Sequence, residues 1–290
     1  MSAPLPSLAG LLALAACSSP PGGPGVLVDG QPTVDAAALA DGPDAAGRPR
    51  FQTCRGRPFT PAPVQAWRHP VATPLTTAAG AANHGAQDPL AAPAAAIAVE
   101  GRFVYGLISS ALADEQVAVW LDDCTAWRAL GQPLTDADGV AAATIAAGTL
   151  TSPGVYEVRF QVLGDQSQTR GYVWVLPAGT HLAIADIDGT LTSSDAQLFQ
   201  QVLDGTHVPV AYPGAIDLTT AHAGRGHVVA HLTGRPYYLT QRSRDWLTNL
   251  GFAPGPVHLT GSTAEALPTT AGVGDYKKRY LQGLVAAGYL

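Results

Sequence analysis

Apolar and polar positions follow two different grammars along the chain. From about 91 to 178 they alternate in short runs: IAVEGRFVYGL at 97–107, QVAVWL at 116–121, GVYEVRFQV at 154–162 and TRGYVWVL at 169–176. Alternation of period two marks half-buried strands, and Ser, Pro, Gly and Asp at the run ends mark turns. The last two runs, joined through Gly164-Asp165, predict a hairpin. The segment 51–178 is therefore expected to be an antiparallel β-sandwich domain. Its opening stretch, 51–90, mixes Pro with single aromatics (Phe51, Phe59, Trp67) and predicts irregular structure packed on the strands. From 179 onward strands and helices alternate, which predicts an α/β unit with a mostly parallel sheet. Strands are expected at 181–185, 226–232 and 255–259. Helices are expected over 195–203 (capped by Ser194 or Asp195), from 212–214 to about 222, over 236–250 where Gly251 stops the run, and from 276 to about 286.

The chain's 290 residues are enough for about two such domains, and 47% apolar content can fill both cores. Only 13% of residues are charged, the net charge is −6 and the basic residues are scattered, so nothing suggests a nucleic-acid surface. The apolar run Leu8 to Ala16 is too short to span a bilayer and ends in Leu14-Ala15-Ala16-Cys17. This resembles a bacterial lipobox, which implies a signal peptide over 1–17, lipidation of Cys17 and an exported, cell-envelope lipoprotein tethered to a membrane. One departure is that no Lys or Arg precedes the apolar run; an ordinary signal peptide or a disordered Ala-rich leader is the alternative. Residues 18–50, rich in Pro, Gly, Ala and Asp, read as a flexible linker. With Cys17 lipidated, Cys54 and Cys124 remain as a candidate disulfide in an oxidising compartment. The string Asp136-Ala137-Asp138-Gly139 reads as a turn, since the remaining ligands of a calcium loop are missing.

Chemistry concentrates in His181 to Asp195, HLAIADIDGTLTSSD. An apolar strand ends at Asp186, Asp188 follows on the same side, and Gly189-Thr190 turns the chain. Two carboxylates at the carboxyl end of a strand, where open α/β sheets hold ligands, need a compensating cation or a shared proton. The pair suits a Mg²⁺-assisted phosphoryl transfer, with Asp186 attacking phosphorus, Asp188 carrying the proton and both serving the metal. A second strand ends in Thr233-Gly234-Arg235, where a hydroxyl and backbone N–H groups can bind phosphoryl oxygens and Arg235 adds positive charge. Lys277, at the start of the last helix, would neutralise the phosphoryl group and the nucleophile; Lys278 and Arg279 compete for that role.

The pattern D-x-D-G-T, with Thr233 and Lys277 in its second and third motifs, resembles the haloacid dehalogenase-like phosphatase superfamily. The wording DIDGTLTSSD, LTGRP and a Y-K-x-x-Y-L helix is narrower. It resembles the lipin-type phosphatidate phosphatase domain and the matching domain of membrane-associated phosphatidylinositol transfer proteins. The resemblance covers 180–290. It implies a Rossmann-like parallel sheet, Mg²⁺ as cofactor and a lipid phosphate or phosphorylated small molecule as substrate. It also implies a choice between hydrolysis and non-catalytic binding of phosphatidate or another anionic ligand. The transfer-protein branch replaces the first Asp; here both stand, which sides with hydrolysis. The implied fourth acidic motif is missing, since no Asp or Glu follows Lys277. Domain 179–290 is accordingly expected to be truncated and its sheet C-terminally incomplete. Asp275 or Glu265 standing in, or a site that does not catalyse, are the alternatives.

Overall fold

The computed structural model describes residues 52–106, 110–194, 197, 207–262, 264–267 and 269–289. The expected signal peptide, Cys17, the linker and nearly all of the helix expected over 195–203 lie outside the described residues.

The first part contains β1 (Gln52–Cys54), helix α1 (Ala72–Thr77), β2 (Gly85–Ala86), β3 (Leu90–Ala91), β4 (Ile97–Arg102), β5 (Val104–Tyr105), β6 (Ser110–Ala111), β7 (Val117–Asp122), β8 (Trp127–Gly131), β9 (Val140–Ile145), β10 (Gly154–Val162) and β11 (Gln168–Val175). One sheet runs β3–β11–β10–β7–β8, and a second runs β2–β4–β9. The hairpin of β10 and β11 pairs Gly154 with Val175 through Gln161 with Gln168. Two short strands from the stretch expected to be irregular join in parallel: β1 along β10 and β3 along β11. They are edge additions without a hairpin, which alternation over so few residues cannot announce.

β10 is buried along almost its whole length because both its faces are covered. Tyr156, Val158, Phe160 and Val162 face the sandwich core with Phe103, Val119 and Val173. On the other face, Val155 packs with Trp174 and Leu176 against Val228, Leu284 and Tyr289 of the following unit. Further along that face Glu157 accepts from the Gly56 N–H (3.2 Å) and Gln161 clamps Ala62 through both its N–H and carbonyl (2.9 Å each). Buried polar side chains thus pin the Pro-rich segment in place. Cys54 and Cys124 meet as a disulfide with Cα atoms 4.7 Å apart.

The second part contains β12 (Leu182–Ala185), α2 (Ala215–Gly224), β13 (Val228–Pro236), α3 (Thr240–Leu250), β14 (Val257–Thr260) and α4 (Asp275–Ala286). Its strands form a parallel sheet in the order β12–β13–β14. β13 runs past the expected end at Leu232 through Gly234 to Pro236, with a register shift against β14. Gly and Pro argue against a strand interior, but Thr233 and Arg235 are fully buried and hold the extension in place. The helix expected from 236 opens instead as a tight turn, Tyr237–Leu239.

The two parts share a buried polar junction. Asp88, fully buried, accepts from Tyr172 N (2.7 Å), Val257 N (2.9 Å) and Arg244 Nη2 (2.5 Å). Arg244 also donates to the carbonyls of Ala86 (2.9 Å) and Arg170 (2.7 Å). Beside it the Gln87 side chain donates to Leu259 O (2.7 Å) and accepts from Leu259 N (3.2 Å). A side-chain amide therefore stands in for a fourth strand on the outer edge of β14.

Three buried histidines set an acid limit. Burial lowers His84, His231 and His258 from 6.5 to about 4. The unfolded chain binds protons at these sites below 6.5 while the folded chain does not until about 4, so stability falls as pH falls through that window. The unfolding midpoint is expected to drop by roughly ten degrees between about pH 6.5 and 5, and a scan of melting temperature against pH checks it. A flat profile would show that these imidazoles titrate normally.

Candidate active site

Asp186 leaves the end of β12 in an extended conformation, and its Oδ1 accepts from the Ile187 N–H at 2.9 Å. Gly189 follows at φ +69°, a left-handed value that costs glycine little, and turns the loop back toward Leu191. Thr192 locks this turn: its hydroxyl accepts from the Gly189 N–H (3.1 Å) and donates to carbonyls of Ile187 and Ser194. The loop is thereby set as a rigid cradle at the carboxyl end of the parallel sheet.

Lys277 comes from the first turn of α4 and places Nζ 2.5 Å from Asp186 Oδ2. The two side chains are 26% and 33% exposed, so the pair borders solvent and remains reachable. Burial pushes the Asp186 carboxyl above its usual 3.8, and Lys277 pulls it back. Among the three basic residues that open the helix, Lys277 is the one that meets Asp186; Arg279 pairs with Glu265 at 2.5 Å. Glu265 also accepts from the Gly261 N–H (2.8 Å).

Gly234 lets the helix approach. A Cβ on it would meet both Val273 methyls at 2.7 Å, so a side chain there would push away the segment that delivers Lys277.

Asp188 is held by the end of β13. Its oxygens accept from Arg235 Nη2 (2.8 Å), Arg235 Nε (2.9 and 3.1 Å) and the Thr233 hydroxyl (3.1 Å). Arg235 is fully buried and also reaches Ser243 Oγ (3.2 Å). The charge expected near the substrate is therefore turned onto Asp188, in the bidentate form that is strongest for a carboxylate. Sequence spacing did not reveal this orienting role of Arg235. The signal was present in the TGRP string only as a cation two residues after a phosphate-type Thr.

Among the described residues no three His, Cys, Asp or Glu side chains gather where they could hold a metal ion. Mg²⁺, however, commonly takes one or two carboxylates and completes its shell with waters and substrate phosphate. Asp186, part-exposed beside Asp188, fits that mode. No helix among the described residues is long and apolar enough to cross a membrane.

Two family models match separate stretches of the chain. Residues 82–175 match the family model for the β-sandwich domain of PITM 1-3, and residues 183–289 match that for its LNS2 domain. Human membrane-associated phosphatidylinositol transfer protein 3 is 29% identical over 180 residues, 61% of this chain and 18% of its own length. The mouse membrane-associated phosphatidylinositol transfer protein 2 is 30% identical over 181 residues, 61% and 13% of the two lengths. Protein retinal degeneration B of Drosophila melanogaster is 29% identical over 209 residues, 71% and 16%. The match spans less than a fifth of each of these relatives. Bacterial invasin, a solved integrin-binding protein, aligns over 34% of this chain and 19% of its own at 22% identity, with a TM-score of 0.25 that carries no weight. The chain thus pairs one region similar to the β-sandwich domain with a second similar to the LNS2 domain of the membrane-associated phosphatidylinositol transfer proteins.

Proposed function

We propose that the α/β unit is a Mg²⁺-dependent phosphomonoester hydrolase acting on a lipid phosphate. The observation that carries this reading is the Lys277–Asp186 contact of 2.5 Å at the end of β12. It holds a carboxylate and a cation together where a phosphoryl group would sit. An Asp186 oxygen would attack phosphorus as the ester P–O bond breaks, giving an aspartyl-phosphate. Asp188, oriented by Arg235 and Thr233, would protonate the departing oxygen. It would then take a proton from the water that attacks phosphorus and releases inorganic phosphate and free Asp186. Lys277 offsets the phosphoryl charge, and the Thr233 hydroxyl and Gly234 backbone line the second strand end. Asp186, with the Asp188 backbone carbonyl, would hold the Mg²⁺, which would supply charge neutralisation at the phosphoryl oxygens.

A lipid substrate is supported by the rim. The segment 208–212 runs beside the motif loop, bridged at Thr192–Ala211, and leaves Val208, Val210 and Tyr212 45–66% exposed. Apolar side chains exposed next to a phosphate-type site suit a surface that meets acyl chains. Lipidation at Cys17 would keep the site near a membrane, where a second attachment strengthens a single one.

A second reading is a module that binds phosphatidate without turnover. Full engagement of Asp188 by Arg235 and Thr233 favours it, as do relatives named for phosphatidylinositol transfer. Phosphate release from short-chain phosphatidate, with Mg²⁺ and with chelator, separates the two. Mg²⁺-dependent release supports hydrolysis. Silence combined with phosphatidate-liposome binding that survives Asp186→Ala would replace it with the binding reading.

A further inference from the structure

At the opposite end of the parallel sheet from Asp186, three histidines lie together. His181 precedes β12, His227 precedes β13, and His222 sits in the last turn of α2. The Nδ1 atoms of His222 and His227 are 3.2 Å apart. Ring centroids are 5.4 Å apart for His222 and His227, and 5.6 Å for His181 and His227. We propose that His222 and His227 form a two-histidine clamp for a borderline transition-metal ion (Zn²⁺, Ni²⁺ or Cu²⁺), with His181 as the neighbouring imidazole.

Four arguments converge. Two nitrogens on a tetrahedral Zn²⁺ at about 2.0–2.1 Å stand about 3.3 Å apart, close to the separation found here. The His227 N–H donates to the His222 carbonyl at 3.2 Å, so a tight backbone turn fixes the two Cα positions before any ion arrives. The clamp lies at the C-terminal end of α2, where the helix dipole favours a cation. All three side chains are at least partly exposed, which leaves an entry path. The three rings do not converge on one point as they stand, so waters would complete the shell. The site is roughly 15 Å from Asp186, five strand residues away, and would take no part in the phosphoryl chemistry. A bound ion would instead tie the end of α2 to the start of β13.

The chain without any affinity tag, carrying Asp186→Asn so that the Mg²⁺ site is disabled, is titrated with Zn²⁺ and Cu²⁺. Zn²⁺ is expected to raise the unfolding midpoint, an increase that excess Mg²⁺ does not compete away. Adding His222→Gln and His227→Gln should weaken Zn²⁺ affinity on the order of tenfold or more. The Cu²⁺ electron paramagnetic resonance spectrum of the histidine-intact chain should show coupling to at least two imidazole nitrogens. Equal Zn²⁺ responses with and without the histidines, or a Cu²⁺ spectrum with oxygen ligands only, would overturn the proposal and leave a simple His–His hydrogen bond. Should the double glutamine variant not fold, His222→Gln alone gives the comparison, and an unchanged two-imidazole Cu²⁺ spectrum in it would overturn the proposal.

Discussion

Asp186→Asn is expected to lower Mg²⁺-dependent phosphate release by at least about 10³-fold, roughly 4 kcal/mol of transition-state stabilisation. An amide has no anionic oxygen to attack phosphorus, so the loss falls on the chemical step rather than on substrate binding. The replacement is nearly isosteric, and its oxygen can still accept from the Ile187 N–H. Lys277 keeps its place because α4 is anchored by Leu284 and Tyr280, which pack with Val155, Trp174 and Val228. The variant should therefore fold, with an unfolding midpoint within a few degrees of the parent, and should still bind product phosphate. Single-turnover phosphate release at saturating Mg²⁺ is the measurement. Undiminished turnover would remove Asp186 as the nucleophile.

Asp88→Ala carries the largest expected cost to stability, about 3–5 kcal/mol. It would strand the Arg244 guanidinium, which is 8% exposed, without its carboxylate, and would orphan the N–H groups of Tyr172 and Val257. For a chain of this size that corresponds to roughly ten degrees in unfolding midpoint. Asp88→Asn, which keeps one acceptor, should cost less. Urea melts of the three proteins give the comparison. Equal midpoints for Asp88→Ala and the parent would mean that the junction contributes nothing to holding the two parts together.

Local signals carried much of the fold. The limits of β10 were legible because a Pro and a Gly-Asp pair bracket a nine-residue β-branched and aromatic run. The strand leading to Asp186 was legible from its short apolar run, whereas on α4, of Tyr280 and Leu281, both expected to pack inward, only Tyr280 does and Leu281 is exposed. Arg235 was harder, because a cation beside a phosphate-type motif reads as a ligand contact until the burial of its side chain is known. Hidden altogether was the junction. Asp88 and Arg244 lie 156 residues apart, and no periodicity links an acidic residue in a short loop to an arginine on a distant helix. The extension of β13 through Gly234 and Pro236 was missed because tertiary burial overrode local propensity there.

Gln87 shows where the boundary between the two parts does and does not lie. By sequence matching it belongs to the sandwich, yet its amide hydrogen-bonds to Leu259 in the α/β unit. An α/β unit cut away at residue 179 would leave without the group that finishes its own sheet. The α/β unit expressed alone would bare the outer edge of β14 to other chains, so it is expected to aggregate more readily than the pair.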